Sequence, residues 1–169
     1  PSAQSRILQL LGDKSIHWKG SRRAVAVEAG RVQFEDGQAM PADSCWIVTG
    51  STAPPWLAVS GLVTDDGGYA RVGETLQSLS HPHVFVAGDV ASHPRALPKS
   101  GVYAVRSGAV LGHNLLAFCT GKPLVAWQPQ SRALYLISTG ERRALALWDR
   151  WTVHGRWVWH WKDSIDRRF

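Results

Sequence analysis

The sequence of 169 residues is poor in cysteine: it has only Cys45 and Cys119, which lie too far apart for a CxxC redox pair. Two thiols are too few for a four-ligand zinc site, and no Cys, Asp or Glu cluster accompanies the histidines. These absences exclude a disulfide framework and lead us to expect no metal site. Because both cysteines have apolar neighbours, we expect buried, inert thiols.

Long hydrophobic runs and a secretory leader are also missing. No apolar stretch approaches the roughly 20 residues of a membrane-spanning helix. No charged segment followed by an apolar one opens the chain, so we expect no signal peptide and a cytoplasmic location. The first residue is Pro1 rather than Met, which suggests a piece of something longer.

The charge balance is basic, with 19 Lys and Arg against 13 Asp and Glu and a formal net charge of +6. An excess of arginine favours anionic partners such as phosphates, nucleic acid or lipid headgroups. The basic residues are scattered rather than striped, and this argues against nucleic acid. With 44% apolar residues, the composition is that of a globular chain with one domain or two small ones.

The N-terminal third reads as one helix followed by strands. Apolar spacing predicts a short helix over Ser5–Leu11, ended by Gly12 and Asp13. Two or three antiparallel strands follow between Ala24 and Ala39, with a tight turn at Asp36-Gly37. The apolar run Ser44–Val48 predicts a buried strand that enters a turn at Thr49-Gly50.

The central segment combines a strand, a glycine and a carboxylate. Val84–Ala87 is predicted to be a buried strand, with Gly88 and Asp89 at its carboxyl end, where open α/β sheets bind ligands. Ser100 is predicted to cap a helix over 101–118. That helix would aim its positive N-terminal end toward the end of the strand.

The C-terminal segment is rich in tryptophan, with six of the nine from Trp127 onward. Two predicted strands, 135–138 and 144–148, indicate a small α+β unit. A helical tail would place Trp157, Val158, Trp161, Ile165 and Phe169 on one face, with cationic rims, although alternation also allows a strand. Such a face suits either a membrane surface or the chain's own core or a second copy, and Asp163 and Asp166 disfavour anionic lipid.

Two motifs, in order, carry a family resemblance. The segment from Thr75 to Asp89, which ends in Val-Ala-Gly-Asp, resembles the second flavin-binding motif of the pyridine nucleotide-disulfide oxidoreductase superfamily. Upstream, Ile47-Val48-Thr49-Gly50 looks like the stretch where that superfamily's chain crosses from the NAD domain back to the FAD domain. Three further segments narrow the resemblance to type II NADH dehydrogenase-like flavoproteins associated with, or fused to, selenide, water dikinase in bacteria: 53–57, 97–106 and 155–169.

The resemblance, from about Arg6 to Phe169, implies the C-terminal part of a flavoprotein with two dinucleotide-binding domains. The expected class is mixed α/β and α+β. Residues 1–48 would end the NAD(P)-binding domain, 49–122 would form the last segment of the FAD-binding domain, and 123–169 would form an interface or acceptor domain. The family's GxGxxG phosphate cradles are absent from the sequence. We therefore expect the chain alone to bind FAD and NAD(P)H weakly or not at all and to be inactive.

The resemblance also implies cofactor-binding residues. Asp89 would accept a hydrogen bond from a flavin ribityl hydroxyl, and Gly88 would leave room for it. Helix-terminal amides at Ser100 and Gly101, or the Lys99 ammonium, would stabilise negative charge on a reduced flavin. Thr49 and Gly50 would face the cofactor or simply end a core strand. No catalytic residue is identified.

Two functions of different classes follow. One is part of an FAD-dependent oxidoreductase that passes electrons from NAD(P)H through flavin to a quinone or another acceptor. The other is a non-catalytic assembly module that pairs with a copy of itself or with the selenium-handling kinase through its aromatic tail. No GxSxG motif is present, so nothing supports hydrolase chemistry.

Overall fold

A computed structural model describes residues 3–168 of the chain. The chain forms two compact units. One combines the segment up to Val48 with the segment from Leu134 onward, and the other is Thr49–Ala133. Within residues 3–168, no helix has both the length and the apolar character needed to cross a membrane.

The first unit begins with helix α1 (Ala3–Asp13), which confirms the predicted helix and extends it through Gly12. Strands β1 (Ala24–Glu28), β2 (Arg31–Phe34) and β3 (Ala39–Pro41) form an antiparallel sheet in that order, as predicted. The turn between β2 and β3 holds Gly37 at a φ of +78°, where glycine is favoured. Val32 and Phe34 of β2 are buried.

The prediction of a strand at Ser44–Val48 is wrong. These residues have no regular structure, and Trp46 and Val48 are each 89% exposed. A strand needs a neighbour for its backbone hydrogen bonds, and no part of residues 3–168 pairs with this segment. The prediction of buried thiols is also wrong, because Cys45 lies in this exposed segment and Cys119 is exposed at the end of a helix.

The same unit contains the C-terminal sheet, which confirms the predicted strands. Strands β6 (Tyr135–Gly140), β7 (Arg143–Trp148) and β8 (Trp151–Gly155) form an antiparallel meander. The numbers β4 (Ala70–Arg71) and β5 (Ala91–Ser92) belong to two short strands of the second unit. Glu141 and Arg142 join β6 to β7, and both have positive φ, as a two-residue type I′ hairpin requires.

The tail is a helix, α4 (Arg156–Asp166), numbered after α2 (Trp56–Val59) and α3 (Gly101–Cys119) of the second unit. Val158 is fully buried against Ala144 and Ala146 of the sheet. Trp157 and Trp161 stack on each other with ring centroids 6.4 Å apart, and they are 59% and 41% exposed. The chain's own core therefore takes Val158 and not these two rings. Phe169 lies outside the described residues.

The second unit holds the parallel pair β4 and β5 and the long helix α3. Its core has two clusters, one of Leu57, Ala70, Val72, Val86 and Ala91, the other of Leu76, Tyr103 and Trp127. The strand predicted at Val84–Ala87 is reduced to an isolated bridge between Phe85 and Gln77. Among residues 3–168, its backbone bonds are two with 76–78 and a turn bond from the Val84 N–H to the carbonyl of His81, so no sheet forms around it.

Helix α3 confirms the prediction, with Ser100 at the N-cap position. The predicted capping bond is wrong, because the Ser100 side chain makes no hydrogen bond to the first turn. The compact unit continues past residue 122 to Ala133, since Trp127 packs in its core and donates from its backbone N–H to the carbonyl of Glu74 at 2.7 Å. How the segments divide among cofactor domains stays a prediction.

Candidate functional site

The second unit contains a cavity of about 320 Å³ between the Gly88 turn, β5 and the start of α3. Its wall contains both polar and apolar residues. The polar residues, which we call the polar wall, include Asp65, Asp89, Ser92 and Lys99, and the apolar and aromatic residues include Leu76, Leu97, Tyr103 and Trp127. We refer to this cavity as the Asp89 pocket.

Gly88 and Asp89 begin a single 3-10 turn, Gly88–Val90, directly after the segment that was expected to be a strand. Gly88 has a φ of +73°, and a Cβ at this position would lie 3.5 Å from the Cβ of Ala104 on α3. The backbone conformation therefore favours glycine, while a methyl here would make only ordinary van der Waals contact with the helix. The Asp89 carboxylate is exposed and lines the pocket.

Lys99 lies on the polar wall and is already engaged by protein groups. Its Nζ donates a hydrogen bond to the carbonyl oxygen of Ala91 at 2.5 Å and lies 4.0 Å from the centroid of the Tyr69 ring. Burial lowers the pKa of Lys99, and the nearby carboxylates of Asp65 and Asp89 oppose that shift. The ammonium is thus held against the pocket wall.

Asp65 is a pocket carboxylate that sequence reasoning missed. Its Oδ1 accepts hydrogen bonds from the backbone N–H groups of Gly67 and Tyr69, each at 3.0 Å. A hydrogen bond from the Ser92 side chain, followed by those two N–H groups, lowers the pKa of Asp65 against the opposing effect of burial. Its sequence context, Asp-Asp-Gly-Gly, indicates a turn. Nothing in that pattern indicates the pocket.

His93 is a second lining residue that the sequence did not single out. Its Nδ1 accepts a hydrogen bond from the backbone N–H of Arg95 at 3.2 Å, so the neutral ring carries its proton on Nε2. Nε2 is buried, and within residues 3–168 it has no hydrogen-bond partner. The ring packs edge-on against Trp127 at 5.3 Å, and burial lowers the pKa of His93.

The start of α3 follows Lys99 directly. The Ser100 carbonyl accepts hydrogen bonds from the N–H groups of Tyr103 and Ala104, while the N–H groups of the first turn have no partner inside the helix. The Ser100 Oγ is buried, and no hydrogen-bond partner for it exists among the described residues. A Cβ at Gly101 would meet nothing within 4 Å. This helix end therefore offers donors beside open space.

Thr49 and Gly50 do not join this group. Both are exposed, have no regular structure and do not line the pocket. The residue after them, Ser51, does contact a pocket residue, because the Tyr69 hydroxyl donates a hydrogen bond to the Ser51 carbonyl at 2.7 Å. The structure thus brings together Gly88, Asp89 and Lys99, sets Ser100 and Gly101 next to them, and leaves Thr49 and Gly50 outside.

A sequence model of the pyridine nucleotide-disulphide oxidoreductase family matches residues 2–108, well over half of the chain. The match includes Gly88, Asp89 and Lys99. The chain belongs to the pyridine nucleotide-disulphide oxidoreductase family. Members of this family are FAD-dependent oxidoreductases that use NAD(P)H.

Solved structures show which fold this family member has. The sulfide:quinone oxidoreductase from the hyperthermophilic bacterium Aquifex aeolicus matches 99% of the chain with a TM-score of 0.75 and 19% identity. The ferredoxin reductase for the CYP199A2 system from Rhodopseudomonas palustris matches 89% with a TM-score of 0.51 and 20% identity. The chain covers 44% and 46% of these two proteins, so it spans less than half of their length. Its mixed α/β fold corresponds to part of an FAD/NAD-binding oxidoreductase, as predicted.

Proposed function

We propose that this chain is the flavin-facing part of an FAD-dependent oxidoreductase that carries electrons from NAD(P)H to a quinone or another acceptor. The observation that supports this proposal is the Asp89 pocket. There, the Asp89 carboxylate on a glycine turn shares a cavity with Lys99 and with Tyr103 and Ala104 of the first turn of α3. When bound, FAD supplies the two-electron chemistry.

The residues of the pocket fit the riboflavin part of this cofactor. Asp89 is an exposed acceptor in an open cavity and suits a ribityl hydroxyl. The missing Cβ of Gly88 faces Ala104 on α3, and Gly101 has open space at its missing Cβ. The buried, unpartnered Ser100 Oγ supplies a further polar group beside them.

The charges of the pocket have separable roles. The N-terminal end of α3 carries partial positive charge, which favours negative charge near the first turn. Lys99 adds a full positive charge, held at a fixed place on the wall. Asp65 and Asp89 reduce the net field, so the pocket favours an uncharged polyhydroxyl group near the carboxylates and negative charge near the helix.

The absence of GxGxxG from the sequence makes this proposal testable on the chain itself. A glycine-rich turn before a helix is the usual holder of a pyrophosphate, and the chain would contact only the riboflavin part. Riboflavin, FMN and FAD should therefore bind with weak affinities that agree within about threefold. Flavin fluorescence titration measures all three. Failure of riboflavin to bind, or FAD binding a hundredfold more tightly, contradicts the proposal.

An exposed aromatic surface favours a second role, that of an assembly module. Trp148, Trp151, Trp157 and Trp161 are 41–76% exposed in the first unit. Exposed tryptophans are enriched at protein interfaces. We propose that a second copy of the chain covers them, with selenide, water dikinase as the alternative partner that the narrower sequence resemblance suggests.

Sedimentation velocity separates these partners. Wild-type chain should sediment as a dimer, and the Trp157→Ser, Trp161→Ser variant should sediment as a monomer. Trp18→Ser is the matched control, because Trp18 is 65% exposed but lies far from α4 in sequence. A monomeric wild type contradicts the homodimer, and co-sedimentation with the purified kinase then supports the alternative.

A further inference from the structure

Tyr69 makes contacts with two segments that sequence reasoning connected only through the cofactor. One face of its ring carries the Lys99 ammonium, with Nζ 4.0 Å from the ring centroid. Its hydroxyl donates to the carbonyl of Ser51, the residue after Thr49 and Gly50. A single side chain therefore joins the polar wall of the Asp89 pocket to the 49–51 segment.

The local backbone fixes the position of the Tyr69 ring. The Tyr69 N–H donates to Asp65 Oδ1 at 3.0 Å, and the Tyr69 carbonyl accepts from the Asp65 N–H at 2.9 Å. The next residue, Ala70, is fully buried and pairs with Ala91 in the parallel β4–β5 ladder. The backbone is therefore fixed on both sides of Tyr69, and the hydroxyl bond to Ser51 anchors the far end of its ring.

The Lys99 side chain has no comparable support of its own. It is a flexible four-carbon chain with three N–H donors, and solvated lysines sample many rotamers. Here one donor reaches the carbonyl of Ala91, which is also the β-ladder partner of Ala70, and the ring covers another side of the ammonium. Tyr69 and Ala91 together hold the ammonium, and no second hydrogen bond joins Lys99 Nζ to another of residues 3–168.

We infer that Tyr69 is a positioning residue that places the Lys99 ammonium at the wall of the Asp89 pocket. Its effect on a flavin rests on the proposed function, while its effect on Lys99 does not. Tyr69→Leu removes both contacts of the side chain. Tyr69→Phe keeps the ring under Lys99 and removes only the hydrogen bond to Ser51.

Proton NMR of the flavin-free chain tests the placement directly. The Lys99 ε-methylene protons should be shifted upfield by the ring and should show nuclear Overhauser contacts to the Tyr69 ring protons. Tyr69→Phe should keep the upfield shift and move the amide signals of the 50–53 segment. Tyr69→Leu should lose the shift, and Tyr135→Leu, a tyrosine in the other unit, should not. An unshifted Lys99 signal in wild type or in Tyr69→Phe overturns the inference, even where Tyr69→Leu does not fold.

Anaerobic titration with chemically reduced riboflavin tests the consequence for the cofactor, because Lys99 is proposed to stabilise negative charge on the reduced flavin. Tyr69→Leu should weaken binding by about two- to fivefold, the range of an exposed cation–π contact, and should have no further effect in a Lys99→Met background. An equal loss in both backgrounds overturns action through Lys99. A wild-type chain that shows the Lys99 shift and binds no riboflavin supports the placement and contradicts the proposed function instead.

Discussion

Asn114 and Val125 pair as two strand residues would, although one partner is a side chain. The Val125 N–H donates to Asn114 Oδ1 at 2.9 Å, and Asn114 Nδ2 donates back to the Val125 carbonyl at 2.8 Å. The same Nδ2 also donates to the carbonyl of Thr75 at 2.8 Å. Asn114 is fully buried on α3, so this amide attaches two loops to the helix whose N-terminal end lies at the Asp89 pocket.

Replacing Asn114 with leucine should strongly destabilise the second unit. Three hydrogen bonds of the buried Asn114 amide disappear, and the N–H and carbonyl groups of Val125 and the carbonyl of Thr75 lose this partner. The expected loss is about 2–4 kcal/mol in the free energy of unfolding, measured by urea denaturation. His113→Ala is the matched control, since His113 is the exposed neighbour on the same helix, and it should stay within about 0.5 kcal/mol of wild type. Equal effects of the two changes would contradict the role given to Asn114.

Gly88→Ala should cost about 1–2 kcal/mol in unfolding free energy, because an L-residue is strained at a φ of +73°. The methyl would also meet the Cβ of Ala104 at 3.5 Å, in ordinary contact, so backbone strain is the main effect. Gly112→Ala on α3 is the opposite control: it lies inside the helix with nothing within 4 Å and should stabilise by up to about 1 kcal/mol. Thermal unfolding of both variants measures the difference. The account fails if Gly88→Ala is as stable as wild type.

Local patterns predicted the elements that need only local information. The α3 periodicity, the Asp36-Gly37 turn and the strands β6 and β7 follow from spacing and turn chemistry, and the structure confirms them, while the third strand, β8, was not predicted. The apolar runs 44–48 and 84–87 do not form the predicted strands, because an apolar run shows only that a strand would be favourable there. Whether it forms depends on a neighbour's backbone, and the described residues give 84–87 one short partner and 44–48 none.

Only part of the pocket was predictable, because some of its residues belong to local patterns and others depend on contacts between distant segments. Gly88 and Asp89 were predicted because they follow an apolar segment, where ligands bind in open α/β folds, and Lys99 because it precedes the start of a helix. Asp65 and His93 come from loops whose sequences indicate only turns. Their place in the pocket depends on β4 pairing with β5, a contact between segments about 20 residues apart.

His154 should make the first unit less stable in acid. Arg6 Nη2 lies 3.5 Å from its Nδ1, and its Nε2 lies 3.0 Å from Thr139 Oγ1. Burial, followed by the charges of Arg6 and Arg143, lowers the pKa of His154 below the ordinary value of about 6.5. Because the unfolded chain then binds the proton first, this contribution to stability is complete above about pH 6.5 and falls as the pH drops toward the folded-state pKa.

Urea unfolding at pH 7.5 and 5.5 measures the effect. His154→Gln, which cannot titrate in this range, should reduce the loss of stability between the two pH values. Arg6→Gln should move the His154 pKa upward in an NMR titration, because it removes one of the two cations. A His154 pKa at or above 6.5 in the wild-type chain would contradict the arrangement around this ring.

The central claim is that the Asp89 carboxylate receives a flavin hydroxyl, and riboflavin titration of two matched variants tests it most directly. Asp89→Ala removes the pocket carboxylate, while Asp66→Ala removes an exposed carboxylate that does not line the pocket. A hydrogen bond to a charged group is worth about 1.5–3 kcal/mol, so Asp89→Ala should weaken riboflavin binding by about tenfold or more. Asp66→Ala should leave the affinity unchanged. Unchanged affinity in Asp89→Ala, or the same loss in both variants, would contradict the account.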